Sequence, residues 1–96
     1  MILSNLFSII EERKAHPHPD SYTNKLMAAG EDTILRKIGE EFVEVFLAAK
    51  GEGDQRLIEE TADLLYHTLV LLSFRDLSLH QVEAELGRRH QEKTAP

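Results

Sequence analysis

Residues 40–63 read EEFVEVFLAAKGEGDQRLIEETAD, and the rest of the chain is organised around this stretch. Acidic residues stand at both of its ends, with fifteen residues and a glycine-broken turn in between: Glu40, Glu41 and Glu44 first, then Glu60 and Asp63. Residues three or four apart share a helix face, so Glu41 and Glu44 form one carboxylate pair. Glu60 and Asp63 form a second pair by the same spacing, and two helices joined by the turn can bring the pairs together.

Converging carboxylates are typical ligands of a hard divalent cation. Mg²⁺ takes oxygen ligands and retains waters, so four such carboxylates on two antiparallel helices predict a site for one or two ions. The alternative is a solvated surface, because glutamate is a good helix former. Glu41 falls at the edge of the apolar stripe of residues 34–49, Glu44 lies one step further out, and Glu40 lies outside it. The pattern by itself leaves both interpretations open.

The segment 54–74 is the most apolar helix that the sequence predicts. Apolar residues occur nearly all round it, and Glu60, Asp63, His67 and Phe74 form one stripe. A helix of this kind is buried on every side, yet small domains bury only about 60% of the surface of their unfolded chain. We therefore predict a homodimer that pairs two copies of this helix. The alternative is a lopsided monomeric bundle.

Length and composition limit the function further. The 96 residues predict a single domain, 1–96, and 17 acidic against 11 basic residues give a formal net charge of -6. This charge offers no electrostatic support for nucleic-acid binding. The absence of cysteine excludes disulfides, thiolate metal sites and a cysteine nucleophile. No apolar run is long enough for a membrane span and no signal-peptide pattern is present, so we predict a cytoplasmic protein.

Helix signals place the remaining elements. A first helix runs from about Leu3 to Ala15, and the prolines of the segment 16–20 predict an extended loop. The predicted boundary residues are Ser21 and Gly30 for a short second helix, Asp32 and about Lys50 for the third, Asp54 for the fourth, and the Ser78–Gln81 capping box for the last. Residues 91–96 are predicted to be a frayed tail.

No strand pattern is present, so the predicted fold is all-α. It is an antiparallel helical bundle of four main helices plus one short helix, completed by homodimerisation. Gly39, inside the third helix, costs on the order of 1 kcal/mol relative to alanine, and it predicts a close approach by another helix or a ligand. His16 and His18 are interpreted as residues of a mobile loop and not as metal ligands, because an H-x-H sequence there lacks the rigid surroundings that orient ligating imidazoles.

Several motifs of the sequence resemble those of known families. The acidic signature resembles that of the MazG-like all-α nucleotide pyrophosphohydrolases. Four further motifs resemble, in order, the family of phosphoribosyl-ATP pyrophosphohydrolases of histidine biosynthesis: SYTNKL at 21–26, KIGEE at 37–41, AAK at 48–50 and ADLLYH at 62–67. The likeness runs from about Leu3 to Arg89, and only the loop before Ser21 departs from the pattern.

The resemblance implies Mg²⁺-dependent hydrolysis of phosphoribosyl-ATP to phosphoribosyl-AMP and pyrophosphate by a cytoplasmic dimer. The implied metal ligands are Glu41, Glu44, Glu60 and Asp63, and the implied catalytic acids are Glu40, Glu41 and Glu44. Among these, Glu40 is the candidate for positioning water. An acidic chain binds a polyanionic triphosphate only through cations, which agrees with this assignment.

The implied phosphate-binding residues are Lys25, Lys37 and Lys50, with Arg75 and Arg88 as weaker candidates. For Lys37 the alternative is an i,i+4 ion pair with Glu41. His67 follows Asp63 by four residues, and we interpret it as a hydrogen-bonded core histidine in preference to a residue that orients a metal ligand.

Two other function classes remain open. A related pyrophosphohydrolase of other nucleoside triphosphates would share the four acids, so only residues 21–26 and Lys50 argue against it. A non-catalytic helical dimerisation module would explain the apolar fourth helix but gives no reason for the acids on its stripe. A di-iron carboxylate bundle is disfavoured because the sequence has no Glu-x-x-His pair.

Overall fold

The computed structural model describes residues 2–92, and every regular element in that range is helical. The helices are α1 (Leu3–Ala15), α2 (Tyr22–Ala29), α3 (Glu31–Leu47), α4 (Asp54–Phe74) and α5 (Leu79–Glu92). One π-helical turn, Ala48–Glu52, extends α3 towards α4. The all-α class is therefore confirmed. Of the predicted tail, residues 91 and 92 still belong to α5, and residues 93–96 lie outside the described range.

Three of the predicted boundary signals are confirmed. The Ser21 hydroxyl accepts from the Asn24 N–H at 3.3 Å and caps α2. Gly30 ends that helix with φ +102°, a backbone conformation that glycine adopts without strain. The Ser78 N–H donates to Gln81 Oε1 at 2.8 Å and the Gln81 N–H donates to Ser78 Oγ at 3.2 Å, so the capping box begins α5.

Two predicted caps are wrong. Gly30 precedes α3 directly, so Asp32 lies in the first turn of that helix and does not cap it. Gly53, with φ +93°, precedes α4 in the same way and makes Asp54 its first residue. A glycine with positive φ turns the chain into the next helix without an intervening cap residue. The acids then stabilise the first turns through the helix dipole.

The core draws on all five helices and lies against the C-terminal half of α4. Its buried apolar residues are Phe7, Ile10, Leu26, Ile34, Leu69, Val70 and Leu79. Polar contacts join α1 to the same half of α4. The Lys14 ammonium donates to the Ser73 carbonyl at 2.6 Å and to Asp76 Oδ1 at 2.5 Å, and the Ser73 hydroxyl donates to Glu11 Oε2 at 2.5 Å. The Ser73 carbonyl near the end of α4 is thereby satisfied within the chain.

Two helices, α3 and α4, also leave many apolar side chains exposed. We define the apolar face by these exposed side chains from α3 and α4: Leu35, Phe42, Val43, Phe46, Leu47, Ile58 and Leu65. Monomeric soluble proteins rarely expose a contiguous apolar patch of this kind without a binding partner. The all-round apolar character of residues 54–74 thus results in an uncovered surface in the single chain.

Gly39 lies on α3 between Leu35 and Phe42, two residues of the apolar face. A Cβ atom added to Gly39 would meet no atom of the described residues within 4 Å. The prediction of a close helix approach at Gly39 is therefore wrong for helices of the same chain. Open space over a glycine in an apolar surface leaves room for the backbone of another molecule.

Between residues 2 and 92, no helix combines the length and the apolar character that crossing a bilayer requires.

Candidate metal centre

Three carboxylates from two helices converge. Glu41 comes from the middle of α3, and Glu60 and Asp63 come from successive positions on one face of α4. Each of the three offers one oxygen, and these oxygens lie within 4.8 Å of one another. We call this group the acid cluster. Such oxygen-only groups match the ligand preference of Mg²⁺ and Ca²⁺.

Glu60 is the most buried member of the acid cluster. It is 6% exposed, and its Oε1 receives an ion pair from Arg56 Nη2 at 2.7 Å. The same guanidinium also donates to Glu59 Oε1 at 2.8 Å. Sequence reasoning missed Arg56 as the counter-charge of Glu60. The signal was available, because the two residues are four apart on one helix.

Glu41 has an unmet hydrogen-bonding need. Its Oε2 is buried, and no donor from the part of the chain that the structure describes reaches it. Burial raises the pKa of the Glu41 carboxyl above its ordinary 4.5, and contact with Glu60 and the charge of Asp63 raise that pKa further. Buried acceptors without a partner are rare and costly. A divalent cation at this position would satisfy the oxygen and neutralise the repulsion, so the acid cluster fits a metal.

A layer of aromatic and hydroxyl groups supports the acid cluster from the α2 side. His67 is buried, and its Nδ1 lies 2.7 Å from the backbone carbonyl of Asp63. A carbonyl only accepts, so Nδ1 carries the proton and Nε2 accepts from the Tyr22 hydroxyl at 3.1 Å. Thr23 follows Tyr22 on α2, and Tyr66 precedes His67 on α4. The hydroxyls of Thr23 and Tyr66 lie 2.5 Å apart. The interpretation of His67 as a hydrogen-bonded core histidine is confirmed, whereas Tyr22 as its partner was not predicted.

The structure separates Glu40 and Glu44 from the acid cluster. Glu44 is half-buried one turn beyond Glu41, and it is not among the three acids that converge. Glu40 is exposed and pairs with Lys37 Nζ at 3.6 Å and with Arg36 Nε at 4.0 Å. The ion pair of Lys37 therefore reaches Glu40 at i+3, and the alternative pairing with Glu41 is wrong.

The remaining cationic candidates fall into two groups. Arg75 pairs with Glu31 and Arg88 pairs with Glu85, so both already have a carboxylate partner. Lys25 on α2 and Lys50 in the π-helical turn are exposed, and neither forms an ion pair with a carboxylate of residues 2–91. These two lysines retain a charge that a phosphate could neutralise.

The two loop histidines take no part in the acid cluster. His16 Nδ1 lies 3.2 Å from Glu12 Oε1, and His18 Nδ1 accepts from the Asp20 N–H at 3.4 Å. Neither histidine belongs to a group of three candidate metal ligands within the described residues.

Comparison with known proteins now adds to this geometry. Residues 3–90 match the family described as phosphoribosyl-ATP pyrophosphohydrolase. The chain belongs to this family. The matched residues include the acid cluster, the supporting histidine and all three candidate lysines, so the site that the structure assembles lies wholly within the shared domain.

Individual relatives agree with the family match. The chain is 52% identical over 88 residues to a phosphoribosyl-ATP pyrophosphatase of Pyrobaculum aerophilum, covering 92% of this chain and 94% of that protein. It is 47% identical over 90 residues to a protein of the same name from Clostridium acetobutylicum, covering 94% and 82%. It is also 55% identical over 87 residues to a histidine biosynthesis bifunctional protein of Gloeobacter violaceus. That match covers 91% of this chain but only 39% of the longer protein.

Proposed function

We propose that this family member hydrolyses phosphoribosyl-ATP to phosphoribosyl-AMP and pyrophosphate, the second step of histidine biosynthesis, in the cytoplasm. The convergence of Glu41, Glu60 and Asp63, with Glu41 Oε2 buried and unpartnered, carries the proposal. These acids form a site for a cation in a chain whose formal net charge is -6. A triphosphate would otherwise be repelled there.

We infer that the ion is Mg²⁺ and that Glu41, Glu60 and Asp63 hold it, with Glu44 supplying a further carboxylate from the next turn of α3. Bound Mg²⁺ would polarise the reacting phosphorus and activate water. Glu40, exposed one residue before Glu41, is the candidate for positioning that water. No protein nucleophile is needed, because hydrolysis requires only an oriented water.

The lysines complete the proposed site. Lys37 already forms an ion pair with Glu40, so it can bind a phosphate only by releasing the Glu40 carboxylate. Lys25 and Lys50 have no such partner among the described carboxylates and are the stronger phosphate-binding candidates. The Arg56 guanidinium holds Glu60 in place through its 2.7 Å contact. His67 holds the Asp63 turn of α4 through the backbone carbonyl.

The deciding experiment is pyrophosphate release from phosphoribosyl-ATP with Mg²⁺ and after its removal by a chelator, with ATP as the comparison substrate. We expect release from phosphoribosyl-ATP that depends on Mg²⁺ and exceeds release from ATP. Equal rates with ATP would favour the alternative of a general nucleoside triphosphate pyrophosphohydrolase. No release from either substrate would refute the proposal.

Glu44→Gln tests whether the fourth acid joins the three that converge. The change keeps size and helix propensity but removes the charge that a hard cation needs. We expect turnover to fall roughly a hundredfold or more, because losing a ligand weakens stabilisation of transition-state charge. The matched control is Glu52→Gln in the π-helical turn, which should leave turnover unchanged. Normal turnover in Glu44→Gln would reduce the site to three acids.

We also propose that a second copy of the chain covers the apolar face and completes an antiparallel bundle. The open space over Gly39, flanked by Leu35 and Phe42, admits a close helix approach. The face combines residues of α3 and α4, so two copies related by a twofold axis would each present the same surface. Light scattering should give the mass of a dimer, and Phe42→Glu should give a monomer. A monomeric wild type with full activity would contradict the dimer.

A further inference from the structure

A cleft separate from the acid cluster opens between the loop 16–20, α2 and the end of α4. Its volume is about 740 Å³, which is within the range of small-molecule sites. Cationic or ionisable side chains and apolar side chains share its lining: Lys14, His18 and Lys25 among the first, Met27 and Phe74 among the second. The combination suits a ligand with an anionic group on a compact body.

The loop wall of the cleft is fixed by backbone hydrogen bonds. The His18 N–H donates to Asn24 Oδ1 at 2.8 Å, and the Ser21 N–H donates to the His18 carbonyl at 3.0 Å. Asn24 Nδ2 donates in turn to the Arg13 carbonyl at 2.8 Å, which ties the loop to α1. The prediction of a mobile loop did not include these hydrogen bonds. With Nδ1 of His18 accepting from Asp20, its Nε2 carries a proton and can donate to a ligand.

The charge of the cleft comes from Lys25. Lys14 is bonded to Asp76 and to the Ser73 carbonyl, so its charge is already balanced. Lys25 forms no ion pair with a carboxylate of residues 2–91. An anion entering the cleft would therefore meet one uncompensated lysine and one imidazole N–H, a donor set that fits a phosphate monoester.

The cleft and the acid cluster each include a residue from the same stripe of α4. At 100° per residue, Phe74 falls on the same stripe of α4 as Asp63 and His67. At 1.5 Å rise per residue, it lies about 16 Å beyond Asp63 along the helix axis. Tyr22, hydrogen-bonded to His67 and 48% exposed, presents an aromatic ring between the two.

We propose that this cleft binds the phosphorylated ribosyl arm of phosphoribosyl-ATP, with Lys25 and His18 on its 5′-phosphate and Met27 and Phe74 against the sugar. The inference rests on the proposed function. That substrate carries an anionic group at each end, and a purine and two riboses separate the two groups. On the protein, the acid cluster lies near Asp63 and the cationic cleft lies near Phe74, on the same stripe of α4. ATP lacks the arm, so the cleft would set selectivity between the two nucleotides.

Three variants test the proposal by the ratio of kcat/KM for phosphoribosyl-ATP to kcat/KM for ATP. Ala28→Trp fills the cleft, since Ala28 lines it, and Lys25→Met removes its charge. Each should lower the ratio roughly tenfold or more, through loss of charge-assisted contacts or of the space for the sugar. Ala29→Trp is the matched control, because Ala29 is also exposed on α2 but is not among the residues that line the cleft. An unchanged ratio in both test variants would overturn the proposal.

A binding measurement keeps this outcome separate from the proposed function. Ribose 5-phosphate is titrated into the isotope-labelled wild type without Mg²⁺, and backbone amide shifts are followed by NMR. We expect shifts at Lys25 and Ala28 that disappear in Ala28→Trp and persist in Ala29→Trp. Shifts confined to the acid cluster, or none at all, would overturn the cleft assignment. If the wild type releases no pyrophosphate, the proposed function fails and this titration alone decides the cleft.

Discussion

The two halves of α4 use the same helix in opposite ways. In the C-terminal half, Leu69, Val70 and Ser73 are buried against other helices of the chain. In the N-terminal half, Ile58 is 62% exposed, and Leu65, just past the middle of the helix, is 44% exposed. Apolar side chains towards the start of α4 are therefore exposed, whereas those towards its end are covered by the chain itself.

Polar groups show the same contrast. At the end of α4, the Ser73 carbonyl and hydroxyl and the Asp76 carboxylate all have partners on α1. Near its start, Glu41 Oε2 faces the acids of α4 with no donor from residues 2–91. An unmet acceptor lowers stability unless a ligand satisfies it. The difference indicates that the N-terminal half is built for a ligand and the C-terminal half for folding.

The largest expected effect comes from the covered half. Leu69→Ala should lower the free energy of unfolding by about 2–5 kcal/mol, because it removes buried methyl groups and leaves a cavity. Leu65→Ala, the matched change at an exposed position near the middle of α4, should cost little in a monomer. If a second copy covers Leu65, the cost appears at concentrations where the dimer is populated and shrinks as the protein is diluted, because a dissociated chain no longer buries Leu65. Urea denaturation at two protein concentrations measures both variants, and equal, concentration-independent losses would contradict the contrast.

The next effect separates catalysis from folding at neighbouring residues of α4. Glu60→Gln should lower turnover roughly a hundredfold or more, since it removes a carboxylate that a hard cation needs. It should also shrink the Mg²⁺-induced rise in Tm, which for the wild type corresponds to about 2.7 kcal/mol at a hundredfold excess over Kd.

Glu59→Gln is the control for Glu60→Gln. Glu59 is exposed and shares the guanidinium of Arg56 but lies outside the acid cluster. It should retain both turnover and the Mg²⁺ response. Similar losses in the two variants would point to the Arg56 ion pairs as the cause and remove Glu60 from the metal site.

The smallest effect is a difference in pH dependence between Glu41 and Glu85. The pKa of Glu41 is raised above 4.5, chiefly by burial, so its contribution to stability is present below pH 4.5 and is lost as the pH rises through the raised value. Arg88 and Arg89 lower the pKa of Glu85 to about 2, so its contribution is present above pH 4.5 and is lost as the pH falls towards 2.

Melting curves in chelator between pH 3 and pH 7 test these two signs. Glu41→Gln should lose less stability than the wild type as the pH rises above 4.5, because glutamine has no proton to release. Glu85→Gln should lose less than the wild type as the pH falls below 4.5. Curves parallel to the wild type in both variants would show that neither carboxyl is perturbed in the folded chain.

Much of the architecture followed from local patterns. The helix bounds near Leu3 and Ala15, the Ser21 cap and the Ser78–Gln81 capping box depend on residues a few positions apart, and all were predicted. The Asp32 and Asp54 caps were wrong because the preceding glycines take positive φ, a backbone choice that competing cap residues do not reveal. The apolar character of residues 54–74 is read directly from the sequence, but which of these residues stay exposed in the chain depends on where the other helices pack.

The sequence by itself determined the helices, the pairing of Glu60 with Asp63 on one face, and the family, since these depend on residue identity and helical spacing. Only the tertiary structure decided that Glu41 joins that pair while Glu44 stays outside the group of three. It also decided that Tyr22 reaches His67 and that a cleft opens beside Lys25. The physical reason is that distances between helices, burial and the pKa shift that burial causes arise from packing between residues far apart in the chain. No local pattern encodes them.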